Sequence, residues 1–191
     1  MEQMKLWPNT LATMSPEASR GQHEQAPTFR VKVLPGGQMP ICGHGGGDAG
    51  FDLFTRAIVD PRKGYLGDGM TRISAQTLPC TLDPGHKVFV GLGIAIEMHS
   101  GYWAEVRPRS STDMGLILVT NQCVPIDAGF RAEPVAHLWN TGPEGFPIVY
   151  GERLVQLIFF GGPKPRLVDL EPGESFAHDQ RRNGSFGSTG R

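Results

Sequence analysis

Apolar and polar residues alternate most regularly in KVFVGLGIAIEM, residues 87–98, which follow a DPG turn. The apolar residues that share one face of an extended chain there are Val88, Val90, Leu92, Ile94 and Ile96. A two-residue period of this length is typical of a half-buried β-strand. The pattern therefore predicts a strand over this segment, with its apolar face towards the core.

Short apolar runs recur through the rest of the chain at about ten-residue spacing, and Gly, Pro, Asn or Asp separates them. They are FRVKVL (29–34), FDLFTRAIV (51–59), YWAEV (102–106), GLILV (115–119), VAHLW (135–139), PIVY (147–150) and RLVQLIFF (153–160). No apolar stripe with a helical period extends beyond two turns of the sequence. This pattern predicts an all-β protein, a barrel or sandwich of short strands.

The composition agrees with this prediction, because the 191 residues include 26 glycines and 16 prolines. These two residue types together average roughly 12% of a globular chain, well below their share here. We expect one domain, residues 29–175, between a flexible N-terminal arm (1–28) and a flexible C-terminal segment (176–191). Residues 60–76 contain three glycines and are predicted to form a loop.

The net charge and the cysteine content limit which ligands the protein is expected to bind and in which compartment it is expected to occur. A formal net charge of −1 provides no broad basic field for nucleic acid. The three cysteines, Cys42, Cys80 and Cys123, form no C-x-x-C motif, which indicates reduced thiols rather than a disulfide framework or a zinc site. The sequence contains no secretory signal pattern and no apolar run of the ~20 residues that a membrane span needs. We therefore expect a soluble, cytoplasmic protein that binds neither nucleic acid nor membrane.

Polar residues interrupt the strand pattern at several points. Asp52 lies in an apolar strand start, RPRSST (107–112) ends a strand, and Asp127 follows an apolar residue at a hairpin. Arg153 and Gln156 lie in GERLVQLIF, where Gln156 shares a face with two apolar residues, which predicts an inward side chain. Many cationic and hydroxyl donors with few carboxylates suit a polyphosphate ligand with a hard cation such as Mg²⁺. Taken singly, each residue also fits a structural role, as a turn residue or a surface ion pair.

The last eleven residues, RRNGSFGSTGR (181–191), combine arginines, glycines and hydroxyls around a single aromatic residue, Phe186. Such a composition is typical of a disordered tail, since it contains too little apolar surface to fold by itself. An inert tail has no need of an aromatic residue among glycines and hydroxyls. A segment that closes over a ligand is the alternative interpretation.

Five segments, taken in order, resemble the motifs of the homotrimeric dUTP pyrophosphatases (dUTPases). They are DAGFDL (48–53), RPRSS (107–111), PIDAGFRAE (125–133), GERLVQLIF (151–159) and RNGSFGSTG (182–190). The resemblance covers residues 30–190. It implies a distorted β-barrel or jelly-roll-like protomer, and a trimer whose three active sites are shared between chains. The implied reaction is the hydrolysis of dUTP to dUMP and diphosphate, with Mg²⁺ held mainly by the substrate phosphates.

The resemblance also implies a role for each motif residue. Asp127 would activate the attacking water, and Phe130, where the family usually has Tyr, would pack beneath the sugar. Gln156 is a second candidate catalytic residue that would also hold phosphate oxygens, and Asp52 would support the site. The other implied ligand-binding residues are Arg109, Ser110, Ser111, Arg153, Arg181, Phe186, Gly187, Ser188 and Thr189. In this interpretation the C-terminal segment is a lid, with Phe186 stacked on the uracil.

Some positions depart from the family pattern and keep two other functions open. Val124 and Pro125 replace residues whose backbone recognises uracil in the family, and Pro125 has no N–H to donate. The related dCTP deaminases share the fold and several motifs, but His137 occupies the position of their catalytic glutamate. A deaminase, alone or combined with dUTPase activity, is therefore one alternative. A catalytically weak, nucleotide-sensing regulator is the other.

Overall fold

The computed structural model describes residues 26–44, 47–67, 69–163, 165–169 and 172. Twelve strands and one short α-helix, α1 (Ser110–Met114), are formed in these ranges. The first six strands are β1 (Arg30–Val33), β2 (Phe51–Leu53), β3 (Ala57–Val59), β4 (Cys80–Leu82), β5 (Lys87–Gly91) and β6 (Ile94–Glu97). The others are β7 (Tyr102–Pro108), β8 (Ile117–Val119), β9 (Ile126–Asp127), β10 (Val135–Asn140), β11 (Phe146–Ile148) and β12 (Val155–Gly161).

The strands form two four-stranded sheets and two ribbons, and every pairing is antiparallel. One sheet has the order β3-β5-β10-β8, the other has the order β2-β12-β7-β9, and the ribbons are β1-β6 and β4-β11. A single apolar core includes Val90, Ile94, Ile117, Leu138 and Leu157, all at most 1% exposed. This architecture confirms the predicted all-β, jelly-roll-like fold. Among the described residues, no helix has the length and apolarity that a membrane crossing requires.

The predicted strand at 87–98 is two strands, β5 and β6, that meet at Gly93. All five apolar residues of its predicted face are buried, as expected. Gly93 has a φ of +68°, a conformation that L side chains rarely adopt, so the chain turns there without a steric cost. The alternation therefore predicts the buried face correctly. It does not predict the break between β5 and β6, which depends on the single residue Gly93.

The sequence pattern does not reveal strands β4 and β9 or helix α1. Strands β4 and β9 contain three and two residues, and α1 contains five. Segments of this length are too short to display a period. The two strands each form on an antiparallel partner: β9 pairs with the seven-residue β7, and β4 pairs with the three-residue β11.

Residues 60–76 form a compact excursion between β3 and β4, in agreement with the predicted loop. A 3₁₀ turn (Pro61–Lys63) begins it, and the Asp60 carboxylate accepts the Arg62 N–H at 3.2 Å. Two isolated bridges, Val59–Ile73 and Tyr65–Thr71, then close the loop on itself. The loop is thus a small hairpin with a defined position, and it lies against the Asp127 turn.

Candidate active site

Asp52 holds two arginines at one end of the β2-β12-β7 sheet. The Arg109 Nε lies 2.8 Å from Asp52 Oδ1, and the Arg153 Nη1 donates to Asp52 Oδ2 at 3.1 Å. The Arg109 Nη1 also donates to the Arg153 carbonyl oxygen at 3.0 Å. A guanidinium carries five N–H donors, so each arginine can hold the carboxylate and still bind an anion.

Strand register brings these residues together from distant parts of the sequence. Asp52 on β2 pairs with Gln156 on β12, Arg153 lies just before β12, and Arg109 directly follows β7. Gly50 permits the close approach of β2 to β12, because a Cβ there would lie 2.9 Å from the Leu157 carbonyl oxygen. This close approach explains why the DAGFDL motif has glycine at this position.

A cavity of about 360 Å³ opens beside the Asp52 cluster, and Ser110, Arg109, Arg153 and Gln156 line it together with Asp52. Ser111 faces an adjoining cavity of about 400 Å³, which the same two arginines also line. The structure thus brings six of the predicted site residues to one place. The two guanidinium groups that face this cavity provide charged N–H donors, which suit an anionic ligand.

The orientation predicted for Gln156 is wrong. On β12, Val155 and Leu157 are each 1% exposed and point into the core, so Gln156 between them faces the opposite side. Its Nε2 donates to the Pro108 carbonyl oxygen at 3.1 Å, and the side chain lines the cavity. Apolar residues on both faces of this strand made the two orientations indistinguishable in the sequence.

Sequence reasoning assigned no role to the loop on the other side of this cavity. The His44 N–H donates to Asp48 Oδ2 at 2.7 Å, and the His44 Nδ1 lies 3.3 Å from Asp48 Oδ1. The backbone hydrogen bond from His44 is the main cause that lowers the pKa of Asp48, so this carboxylate stays ionised at neutral pH. Both residues line the cavity. Their position in the glycine-rich GHGGGDAG segment was the sequence feature that could have indicated a role in the site.

Asp127 and Phe130 lie away from the Asp52 cluster. Asp127 on β9 pairs with Trp103, near the start of β7, and its side chain is exposed. Arg109 lies six residues farther along from Trp103. At about 3.3 Å per strand residue, Asp127 and Arg109 of one chain are roughly 20 Å apart. One chain therefore does not bring its predicted water-activating carboxylate to its own arginine cluster.

Beside the Asp127 turn lies a smaller cavity of about 190 Å³. It is lined by Tyr65, Asn121, Val124, Pro125, Ile126 and Phe130, among others. A cavity of about 150 Å³ is known to hold a benzene-sized ring, so this space suits a single aromatic ring. The chain thus presents an anionic-ligand cavity at one end of β7 and a ring-sized cavity at the other.

A buried ion pair, Arg56–Glu133, anchors the Asp127 turn, and sequence reasoning missed it. Arg56 donates to both Glu133 oxygens at 2.7 Å, and the N–H groups of Thr71 and Gly93 donate at 2.9 and 2.8 Å. The Glu133 side chain is 0% exposed and that of Arg56 is 4% exposed. A carboxylate buried in this way is stable because four donors satisfy it. The available signal was the charge of Arg56 between the apolar residues of FDLFTRAIV.

His137 lies away from both cavities, on β10. Its ring stacks on Phe89 with centroids 4.1 Å apart, and its Nδ1 lies 2.7 Å from the Thr120 hydroxyl oxygen. Burial, and secondarily the charge of Lys87, lower the pKa of His137. These contacts give the side chain a packing role in this sheet.

The predicted residues of the last motif, Arg181, Phe186, Gly187, Ser188 and Thr189, lie outside the described residues. The predicted boundaries of the arm and of the C-terminal segment are not tested by the structure either, and both stay predictions.

Comparisons with known proteins agree on one family. A family model described as dUTPase matches residues 73–190. The deoxyuridine 5'-triphosphate nucleotidohydrolase of Gloeobacter violaceus is 33% identical over 153 residues, which cover 80% of this chain and 88% of that protein. The enzyme of the same name from Ehrlichia canis is 36% identical over 126 residues, 64% of this chain and 80% of that one.

Solved structures extend the likeness to the fold. A mutant dUTPase of Staphylococcus bacteriophage 80alpha, bound to dUpNHpp, aligns with a TM-score of 0.67. The alignment covers 86% of this chain and 99% of that one, at 21% sequence identity. A mutant dUTPase of phage phi11 of S. aureus, whose structure reveals how a structural Mg(II) ion is coordinated, aligns with a TM-score of 0.60 at 19% identity, over 78% of this chain and all of that one. At these identities the likeness shows the fold alone.

Proposed function

The chain belongs to the dUTPase family, and we propose that it hydrolyses dUTP to dUMP and diphosphate. The observation that carries this proposal is the cavity in which Asp52 holds Arg109 and Arg153 beside Ser110 and Gln156. A triphosphate supplies the dense negative charge that two guanidinium groups and hydroxyl or amide donors recognise. Asp52 supports the site by keeping both arginines in place, and Ser111 adds a hydroxyl from the adjoining cavity.

The donor set fits Mg²⁺ that is carried mainly by the substrate. Mg²⁺ in nucleotide enzymes is typically bound by one or two carboxylates plus substrate phosphates. Both oxygens of Asp52 already contact arginines, so the phosphates themselves would provide most of its ligands. When bound, the ion would neutralise phosphate charge that develops during bond cleavage.

Asp127 is the proposed general base. Its exposed carboxylate would orient a water molecule and take its proton as the water oxygen attacks the α-phosphorus. The bond from that phosphorus to the bridging oxygen breaks, and diphosphate leaves. Phe130 would pack beneath the deoxyribose, and the arginine cluster with Gln156 would hold the phosphates in line for attack.

The separation of about 20 Å within one chain supports a site shared between chains. The ring-sized cavity and Asp127 of one chain would meet the arginine cluster of a neighbour, as in a homotrimer with three equivalent interfaces. In such an arrangement Arg181, Phe186, Gly187, Ser188 and Thr189 would close over the nucleotide as a lid. We propose the cytoplasm as the location of this activity.

The substrate is tested by incubating the full chain with dUTP, dCTP and dTTP, with and without Mg²⁺. We expect dUMP and diphosphate from dUTP, with turnover that depends on Mg²⁺. Ammonia release from dCTP would indicate a deaminase instead. Nucleotide binding without turnover would indicate a sensor.

Sharing of the site is tested by complementation between two inactive variants. Asp127→Asn chains retain the arginine cluster, and Arg109→Ala chains retain the carboxylate. After the two are unfolded and refolded together, mixed trimers should contain some interfaces with both native residues, and activity should return. Two inactive variants that stay inactive when refolded together would show that each chain uses its own residues.

A further inference from the structure

The excursion at residues 60–76 packs directly on the turn that carries Asp127. Glu133 bonds to the Thr71 N–H, and the Glu133 N–H in turn donates to the Gly69 carbonyl oxygen at 2.8 Å. Gly69 has a φ of +81°, and a Cβ there would lie 2.8 Å from the Arg131 carbonyl oxygen. The loop and the turn are therefore in close contact at Gly69, where a larger residue would clash with the Arg131 carbonyl oxygen.

This packing brings Tyr65 into the ring-sized cavity. Its ring meets that of Phe130 edge-on, with centroids 6.3 Å apart and an interplanar angle of 79°. Val124 and Pro125 also line this cavity. Tyr65 is 42% exposed, and within the described part of the chain its hydroxyl forms no hydrogen bond. The phenol is therefore available to a molecule in the cavity.

The backbone at Val124 and Pro125 is poor in donors. The Val124 N–H already donates to the Asn121 carbonyl oxygen at 3.1 Å, and Pro125 has no N–H. The Asn121 side chain is partly occupied, since its Nδ2 donates to the Val135 carbonyl oxygen at 2.7 Å and its Oδ1 accepts the His137 N–H at 2.9 Å, which leaves one amide N–H. A ligand with two carbonyl oxygens thus needs a further donor.

Tyr65 can supply that donor across the physiological pH range. Burial, followed by the charge of Glu133, raises the pKa of the Tyr65 phenol, so the group retains its proton. A hydroxyl rotates, so it can donate to a carbonyl oxygen or accept from an exocyclic amine.

We propose that Tyr65 is a substrate-binding residue whose hydroxyl bonds to a polar ring substituent of the pyrimidine base, while its ring and Phe130 form one wall of the base site. This inference rests on the proposed function. It assigns to the loop at 60–76 a part in substrate binding. Because a hydroxyl adapts to either partner, Tyr65 strengthens pyrimidine binding without selecting uracil over cytosine.

The test is the Tyr65→Phe variant of the full chain, assayed with dUTP beside the wild type. Removal of one neutral hydrogen bond should raise KM about threefold to tenfold and leave kcat within about twofold. The melting temperature should not change. Tyr102→Phe, which loses a hydroxyl on β7 outside this cavity, is the matched control and should keep the wild-type KM.

A second variant, Gly69→Ala, tests the loop that positions Tyr65. It should raise KM at least as much as Tyr65→Phe, because the added Cβ displaces the loop from the turn. Normal wild-type turnover with an unchanged KM in Tyr65→Phe would overturn this inference alone. A wild-type chain that turns over no dUTP would overturn the proposed function first.

Discussion

Two arginine–carboxylate clusters of the same chemistry lie in opposite environments. In the Asp52 cluster, the Arg109 and Arg153 side chains are 28% and 41% exposed, and a cavity of about 360 Å³ opens beside them. In the Arg56–Glu133 pair, both side chains are buried, and neighbouring backbone N–H groups satisfy the carboxylate. Exposure therefore separates the cluster that can bind a ligand from the one that fixes a turn.

The comparison also explains why the charged residues near the Asp127 turn differ in role. Glu133 and Asp127 lie in the same nine-residue segment, yet one is fully buried and the other is exposed. The buried carboxylate holds the turn and the loop at 60–76 together. The exposed one remains free to meet water and substrate.

Asp127→Asn should have the largest effect on activity. Loss of a general base costs about 10²-fold to 10⁴-fold in kcat, because the amide keeps the shape but cannot take the proton. Stability should stay the same, since the side chain is exposed. Diphosphate release measures kcat, and binding of a non-hydrolysable dUTP analogue serves as the control. Near-normal turnover would mean that Asp127 is structural.

Glu133→Gln should give the opposite result, a loss of stability. Breaking a buried ion pair from one side typically costs about 3–5 kcal/mol, because the Arg56 charge is left without its partner. Urea unfolding measures the free energy of unfolding. Arg153→Ala provides the contrast, since a partly exposed ion pair contributes only about 0–1 kcal/mol. Equal destabilisation by the two variants would contradict the distinction between the clusters.

Arg109→Lys should reduce activity while the fold is retained. The lysine keeps the charge but loses the planar fork that contacts Asp52 and a phosphate together. Hydrogen bonds to charged groups contribute about 1.5–3 kcal/mol, so kcat/KM for dUTP should fall about tenfold to 150-fold. A kcat/KM within twofold of the wild type would show that Arg109 serves only to pair with Asp52.

Removal of residues 181–191 tests whether the arginine cluster suffices for turnover. We expect most activity to be lost with little change in melting temperature, because the segment contains few apolar residues. Phe186→Ala should reproduce part of the loss, since base–aromatic stacking is worth about 1–3 kcal/mol, and Phe186→Trp should retain more activity. Full activity after truncation would show that the segment is an inert tail.

The smallest expected effect is a pH dependence of stability from His137. Its pKa is lowered in the folded protein from a model-compound value of 6.5, so the unfolded chain binds the proton more tightly. Stability should therefore decrease as the pH falls below about 6.5 and stay level above it. His137→Phe keeps a ring against Phe89 and cannot take up the proton, so its unfolding free energy should decrease less. Equal slopes for the two proteins would exclude His137 as the cause.

The sequence predicted the site residues through the order of five motifs that resemble one family, since each residue taken singly also fits a structural role. Asp52 and Gln156 lie within strands, Arg109 and Arg153 lie at strand ends, and the structure brings all four to one cavity. Arg56 lies in the run FDLFTRAIV and Glu133 ends the segment PIDAGFRAE, and neither was assigned a role. Residue type alone does not distinguish a charge that faces a cavity from one that is buried against a partner 77 positions away.

The sequence by itself determined the fold class and the buried face of its most regular segment. Val88, Val90 and Ile94 are in the core because a two-residue period leaves only one apolar face to bury. Only the tertiary structure decided which way Gln156 points and how far Asp127 lies from Arg109. Both depend on long-range strand register: β12 carries apolar residues on both faces, and β9 pairs with the far end of β7. Local alternation contains no information about which distant strand provides the partner.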